Sequence, residues 1–169
     1  MVKNARRWRA LVLATTLLLA GCASQTARPE PSDRPMVQDD IFTMSFDRIA
    51  YVDGVLQVTV SARVADLVAP VPIAHGEPPI CVLLRGEDGK LPPGSQRTSV
   101  DVCVHTSLEP GALLNQEAAF PDYSEPPPPP GTYTLEATLE YALLVGNLTE
   151  NHPHGPMGKL TLTVPVTIP

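Results

Sequence analysis

Apolar and polar residues alternate along most of the chain after residue 40. Phe42, Met44 and Phe46, for example, are separated by Thr43 and Ser45. A period of two is typical of a β-strand with one buried face. The same alternation, or a short apolar run, predicts strands at 41–52, 56–64, 80–85, 98–106, 132–145 and 159–168. With turn residues between them, these segments predict an all-β fold, an antiparallel β-sandwich of six to seven strands.

The dipeptide Asp53-Gly54 lies between the first two strands and predicts a tight hairpin turn. A regular ladder carried away from that turn would place the apolar face of the first strand on the wrong side. One extra residue at 47–48 restores the alignment, because it sets Phe46 opposite Val60. We therefore predict a β-bulge at that point.

Prolines interrupt the rest of the domain at many positions. Long helices are therefore improbable, since the chain has 20 prolines. Residues 65–79 and 107–131 are predicted to be connections, the second ending in a polyproline segment at 126–130. Within it, 108–120 is predicted to form either a short helical turn or an edge strand. Pro165, on the polar face of the last strand, favours an edge position for that strand.

The first 22 residues have the features of a secretory signal. Lys3 and three arginines precede a short apolar run, which is too short to span a bilayer. The run ends in Leu19-Ala20-Gly21-Cys22, which resembles the lipobox of bacterial lipoproteins. That resemblance implies a signal peptide at 1–21, cleavage before Cys22, and acylation of this cysteine.

The same resemblance implies where the protein is located. In Gram-negative lipoproteins an aspartate after the acylated cysteine retains the protein at the inner membrane, and here that position is Ala23. The expected location is therefore the outer membrane, on its periplasmic face. Residues 22–40 carry few apolar side chains and are predicted to be a flexible tether, followed by a β-sandwich domain at 41–169.

The net charge of the chain argues against one class of partner. The chain has 12 basic and 18 acidic residues, and its net charge of −6 becomes more negative when the basic signal is removed. Such a balance argues against binding to nucleic acid. The expected partners are the membrane, through the lipid, and a protein of the envelope.

Cys81 and Cys103 remain once Cys22 is assigned to lipid. Two cysteines in an oxidising compartment usually pair, so a disulfide is predicted between them. A register that sets Cys81 opposite Cys103 also sets Val82 opposite Val102, which groups the apolar partners on one face.

The segment that begins at Pro130-Gly131-Thr132-Tyr133 resembles a late strand of immunoglobulin-like and transthyretin-like sandwiches. In those folds a tyrosine near the start of the strand ties down the preceding corner. The resemblance implies the same position and contact for Tyr133.

One loop has side chains that could bind a metal. His152 and His154 lie two residues apart, with the thioether of Met157 nearby, and this set suits copper. The sequence therefore favours two functions and leaves open a third, a hydrolase with scattered catalytic residues. The first is a lipid-anchored module for binding or envelope assembly, without a cofactor and not an enzyme. The alternative is a periplasmic copper-binding lipoprotein.

Overall fold

The computed structural model describes residues 34–95, 100–121, 126–145 and 154–169. The described part of the chain forms eight strands: β1 (Met36–Gln38), β2 (Phe42–Val52), β3 (Val55–Val64), β4 (Val71–Arg85), β5 (Val100–Leu108), β6 (Leu113–Phe120), β7 (Gly131–Leu144) and β8 (His154–Ile168). None of these residues belongs to a helix long and apolar enough to cross a membrane. The signal peptide, Cys22 and most of the tether lie outside the described residues.

The strands form two four-stranded antiparallel sheets, so the predicted antiparallel β-sandwich is confirmed. The first sheet has the order β1-β2-β3-β6 and the second the order β5-β4-β7-β8. In immunoglobulin nomenclature β2, β3 and β6 correspond to strands A, B and E, and β5, β4, β7 and β8 to C′, C, F and G. The connectivity is therefore immunoglobulin-like.

The hairpin between β2 and β3 has the predicted register. Asp53 and Gly54 both have positive φ, 51° and 82°, which is the backbone of the tight turn that suits right-twisted strands. The ladder is interrupted between Phe46 and Arg48, and Phe46 pairs with Val60. The predicted bulge is confirmed, because it keeps the apolar side chains of both strands facing the core.

The core lies between the sheets and is built from the alternating positions of β2, β3, β4 and β7. Its largest fully buried apolar side chains are Phe42, Phe120, Met44, Ile73, Ile80, Leu84, Leu135, Leu139, Val60, Val64 and Val82. These residues form one contiguous cluster, which both sheets contribute to. Burial of each such side chain is worth roughly 1.5–3 kcal/mol, and their packing unites the sheets.

The predicted connection at 65–79 is wrong over most of its length. β4 already begins at Val71 and runs for 15 residues. The ladder to β7 nevertheless breaks in the middle, since His75 pairs with Tyr141 and the next pair is Ile80 with Leu139. Between these two pairs, the segment Gly76–Pro79 contains three residues more than the ladder to β7 can hold and forms a bulge, whose prolines interrupt a strand that continues on both sides.

The predicted register of the two cysteines is also wrong. Cys103 lies opposite Gly76, and Cys81 lies opposite Thr138 on β7. β5 pairs with the first half of β4 rather than with 80–85, because β5 runs beside Val71–Gly76 before the bulge. Both cysteines are thiols in the structure.

The remaining differences concern the ends of strands. Met36–Gln38 pair with β2, so the sheet begins within the predicted tether. Val145, whose place in the alternation of the predicted strand 132–145 puts it on the same face as the core residue Leu139, is 55% exposed, because β7 shifts register between Ala142 and Leu144. β8 starts at His154, earlier than expected, and is an edge strand as predicted. Of the two predictions for 108–120, the edge strand is confirmed as β6.

Tyr133 has the predicted position and contact. Its hydroxyl donates a hydrogen bond of 2.6 Å to the carbonyl of Pro129, four residues upstream. The polyproline segment packs against the domain, since Pro128 is buried and the carbonyl of Pro126 approaches Gly94 too closely for a Cβ atom there. This segment therefore covers one end of the sandwich.

We expect Leu135→Ala to lower the free energy of unfolding by about 2–5 kcal/mol, because it opens a cavity in the packed core. Leu135 is fully buried, whereas Leu113, also on a strand, is 55% exposed. Leu113→Ala is the matched control, with an expected change within about 0.5 kcal/mol. Urea denaturation measures both. Similar losses in the two variants would contradict the core described above.

Candidate functional site

The candidate site is a groove of about 870 Å³ on the outer face of the second sheet. It is lined by the bulge of β4, by the part of β4 that follows the bulge, and by β5, β7 and β8 of the same sheet. Leu83, Val102 and Ala142 supply apolar surface, and Thr138 supplies a hydroxyl. A concave surface of this size with mixed lining is the usual form of a ligand site.

The bulge creates the groove because it alters the spacing along β4. His75 and Ile80 are five residues apart, yet they pair with two β7 residues that are only two apart. Three extra residues must therefore leave the plane of the sheet. Gly76–Pro79 form one wall of the groove for this reason.

Two ion pairs cross the groove face between neighbouring strands. The Arg85 guanidinium donates through Nε and Nη2 to the two carboxylate oxygens of Glu136, both at 3.1 Å. Lys159 Nζ donates to Glu140 Oε1 at 2.6 Å. The hydrogen bonds and the charge of these carboxylates raise the pKa of the Arg85 guanidinium and of the Lys159 ammonium group.

The two thiols lie on the same face. Cys81 alternates with the fully buried Ile80 and Val82, so its side chain points away from the core. Cys103 is exposed on β5, and both cysteines line the groove. The two cysteines that the sequence predicted to pair therefore line one groove, but neither lies opposite the other in the sheet.

Tyr141 links the groove to the start of the domain. It lines the groove, and its ring packs edge-to-face on Phe42 with centroids 5.0 Å apart. Its hydroxyl donates a hydrogen bond of 2.7 Å to Asp39 Oδ2. Burial, followed by this bond to a carboxylate, strongly raises the pKa of the Tyr141 hydroxyl.

The Asp39 carboxylate, which accepts the hydrogen bond from Tyr141, is also bonded to the backbone. Its Oδ1 accepts hydrogen bonds from the backbone amides of Ile41 and Phe42, at 2.8 and 2.7 Å. Partial burial opposes ionisation of Asp39, but these bonds and that from Tyr141 outweigh it and hold the carboxyl pKa below its usual value. Asp39 thereby caps the first turn of the domain as a carboxylate.

Gly158 leaves the space that the Tyr141 ring needs. The two residues are paired between β7 and β8. A Cβ atom at position 158 would overlap the tyrosine ring. Only glycine therefore fits at position 158 without displacing the tyrosine ring, and the alternation of apolar and polar residues alone does not reveal this requirement.

The predicted metal loop is only partly described. His152 lies outside the described residues, and His154 is known only as the backbone start of β8. Met157 is 81% exposed and lies at one end of the groove. Within the described ranges, no group of three or more His, Cys, Asp or Glu side chains could hold a metal ion. The copper site at this loop stays a prediction.

Comparison with known proteins does not assign the chain to a family. No protein-family model matches the chain, and no curated protein matches its sequence. The fold and the groove are therefore the basis for inferring a function.

Sequence reasoning missed the groove and the contact between Asp39 and Tyr141. These two residues are 102 positions apart, and neither lies in a motif. The groove depends on a bulge that the prolines concealed. The sequence of β4 holds a signal for this bulge, because its large apolar residues change from odd positions, Val71 and Ile73, to even positions, such as Ile80 and Val82.

We expect Asp39→Asn to lower the free energy of unfolding at pH 7 by about 1 kcal/mol, because it weakens hydrogen bonds to a charged acceptor. The folded-state pKa of Asp39 is depressed. Its contribution is therefore present above the unfolded value of about 4 and is lost as the pH falls through the folded value. The variant and the wild type should converge in stability at lower pH.

Urea denaturation at a series of pH values between neutral and acid measures this difference. Asp40→Asn, at the exposed neighbouring position, is the control and should leave stability nearly unchanged. A loss in Asp39→Asn that is equal at neutral and acid pH would show that the ionised carboxylate is not the stabilising species.

Proposed function

We propose that the chain is a lipid-anchored binding module on the periplasmic face of the outer membrane, which presents the groove of its second sheet to a partner in the envelope. The groove is the observation that carries the binding role. Its volume of about 870 Å³ falls in the range of ligand sites. Its walls come from four strands of a packed sheet, so its shape is set before a partner arrives.

The chemistry of the lining favours binding over proton transfer. The carboxylates of Glu136 and Glu140 are both engaged by basic groups. Between these ion pairs lie Leu83 and Thr138, which offer apolar contact and one hydroxyl. Such a surface recognises a partner through shape, apolar area and a few fixed polar contacts.

The lipobox residues Leu19-Ala20-Gly21-Cys22 support the anchor. Each buried methylene of an acyl chain contributes about 0.8 kcal/mol to membrane binding, so the several chains of a lipoprotein hold it durably. The acidic net charge of −6 fits attachment through lipid rather than through attraction to anionic headgroups. The anchor would keep the groove at high local concentration near the membrane.

We expect Cys22→Ser to release the protein from the membrane fraction and to abolish incorporation of labelled fatty acid, because the acylated sulfur is lost. Fractionation and fatty-acid labelling of cells measure both effects. Cys103→Ser is the matched control and should stay lipidated and membrane-bound. A Cys22→Ser protein that remains labelled and sedimented with membranes would refute the anchor.

We expect a photo-crosslinking amino acid at Leu83, in the groove, to give a discrete product in intact cells. The same amino acid at Thr59, on the outer face of the opposite sheet, should not give it. Thr138→Arg should abolish the product, since a long charged side chain would fill the groove. The same product from both positions, or its persistence in Thr138→Arg, would refute the groove as the binding surface.

A further inference from the structure

The polyproline segment Pro126–Pro130 is a surface feature that neither the core nor the groove accounts for. Each proline fixes its own φ at about −65° and keeps the residue before it out of the helical region. The cis peptide bonds of the described residues lie elsewhere, at Glu77-Pro78 and Phe120-Pro121. The segment is therefore a left-handed polyproline II helix, with three residues per turn and a rise of about 3.1 Å per residue.

The burial of the five rings has the same period as this helix. Pro128 is buried, whereas Pro126, Pro127, Pro129 and Pro130 are exposed. In a helix with three residues per turn, residues three apart share an edge. The edge that contains Pro128 therefore packs on the domain. The two edges formed by Pro126 with Pro129 and by Pro127 with Pro130 face outward.

The domain holds this helix at two points along its length. The hydroxyl of Tyr133, whose ring is buried, donates a hydrogen bond of 2.6 Å to the carbonyl of Pro129. The carbonyl of Pro126 lies where a Cβ atom of residue 94 would be, so the glycine at this position lets the helix approach. A segment that is already fixed in this way loses little conformational entropy when a partner binds to it.

Pro129 also lines a second hollow, of about 610 Å³, together with the connection between β4 and β5. The charged side chains of this lining are Glu87, Asp88 and Lys90, two acidic and one basic, with a net charge of −1. Asp88 is paired with Lys90 at 3.2 Å, and within the described ranges Glu87 takes part in no ion pair. A basic side chain of a partner would complement this charge.

The exposed edges of a polyproline II helix are typically bound by grooves lined with aromatic side chains. The described part of this chain offers no such groove, because only one of its aromatic side chains, Tyr51, is exposed. The others are buried, namely Phe42, Phe46, Phe120, Tyr133 and Tyr141. The fit therefore favours a different protein over a second copy of this chain.

We propose that Pro126–Pro130 is a docking segment for a second protein whose groove is lined with aromatic side chains and carries a basic residue at its edge. The two outward edges of the helix lie against the aromatic rings, and Glu87 faces the basic residue. No described residue lines both the second hollow and the groove of the second sheet. The docking segment therefore holds or fails independently of the proposed function.

The test places a photo-crosslinking amino acid at Lys90 of the full chain, in the lining that includes Pro129. Freshly opened cells are irradiated with and without an oligoproline peptide, which shares only the polyproline II helix with this chain. We expect one discrete product, which oligoproline prevents and a Gly-Ser peptide of the same length does not. The crosslinker at Thr59 should not give it. Mass spectrometry should place the crosslink beside tryptophan or tyrosine residues of the partner.

The double variants Pro126→Ala/Pro129→Ala and Pro127→Ala/Pro130→Ala each remove the rings of one outward edge, and each should abolish the product. Pro70→Ala, at an exposed position in the connection between β3 and β4, is the matched control and should retain it. Circular dichroism of every purified variant verifies that the sandwich is folded.

Three results would overturn the proposal. The first is the absence of a product, or a product that forms equally well in the presence of oligoproline. The second is a product that persists in either folded double variant or that is lost equally in Pro70→Ala. The third is loss of the product in Thr138→Arg, which would assign the contact to the groove of the second sheet.

Discussion

The constraint that shapes this domain is that each strand must keep one apolar face toward the core while its prolines and charges remain outside. In β4, the core positions fall on odd numbers at Ile73 and on even numbers at Ile80, Val82 and Leu84. A regular strand cannot bury both sets, since its side chains alternate strictly. Three looped-out residues reverse the parity, and both halves of the strand then face the core.

The groove is a direct consequence of that correction. Three residues of the bulge have no place in the ladder with β7, and the bulge segment Gly76–Pro79 lines the groove. Pro78 and Pro79 fit a bulge because they cannot donate to a ladder in any case. Stability in the core and concavity on the surface therefore have one cause, and the site is built on packed strands rather than on a mobile loop.

The sequence was sufficient where the deciding contacts are local. The β2–β3 hairpin, its turn at Asp53-Gly54 and its bulge at 47–48 follow from two neighbouring strands, whose apolar faces can be aligned by inspection. The contact of Tyr133 with Pro129 is also local, spanning four residues. The edge position of β8 followed from Pro165 on its polar face, whereas for β6 the sequence left an edge strand and a helical turn as alternatives.

The sequence was insufficient where several registers satisfy the same pattern. Pairing Cys81 with Cys103 grouped apolar residues on one face, yet Val102 is 46% exposed in the fold. Which strand pairs with the second half of β4 depended on β7, which lies along one side of Ile80–Arg85. The groove combines four strands that are not all consecutive in the chain, and no spacing in the sequence encodes that assembly.

Tyr141 connects the groove with the start of the domain. Tyr141 is one of the residues that line the groove, and its hydroxyl is bonded to Asp39, which follows β1 at the start of the first sheet. The Asp39 carboxylate also accepts hydrogen bonds from two backbone amides, which fix the turn between β1 and β2. Because Gly158 lets the ring pass β8 without a clash, the entry of the chain and the groove are held in one fixed relation.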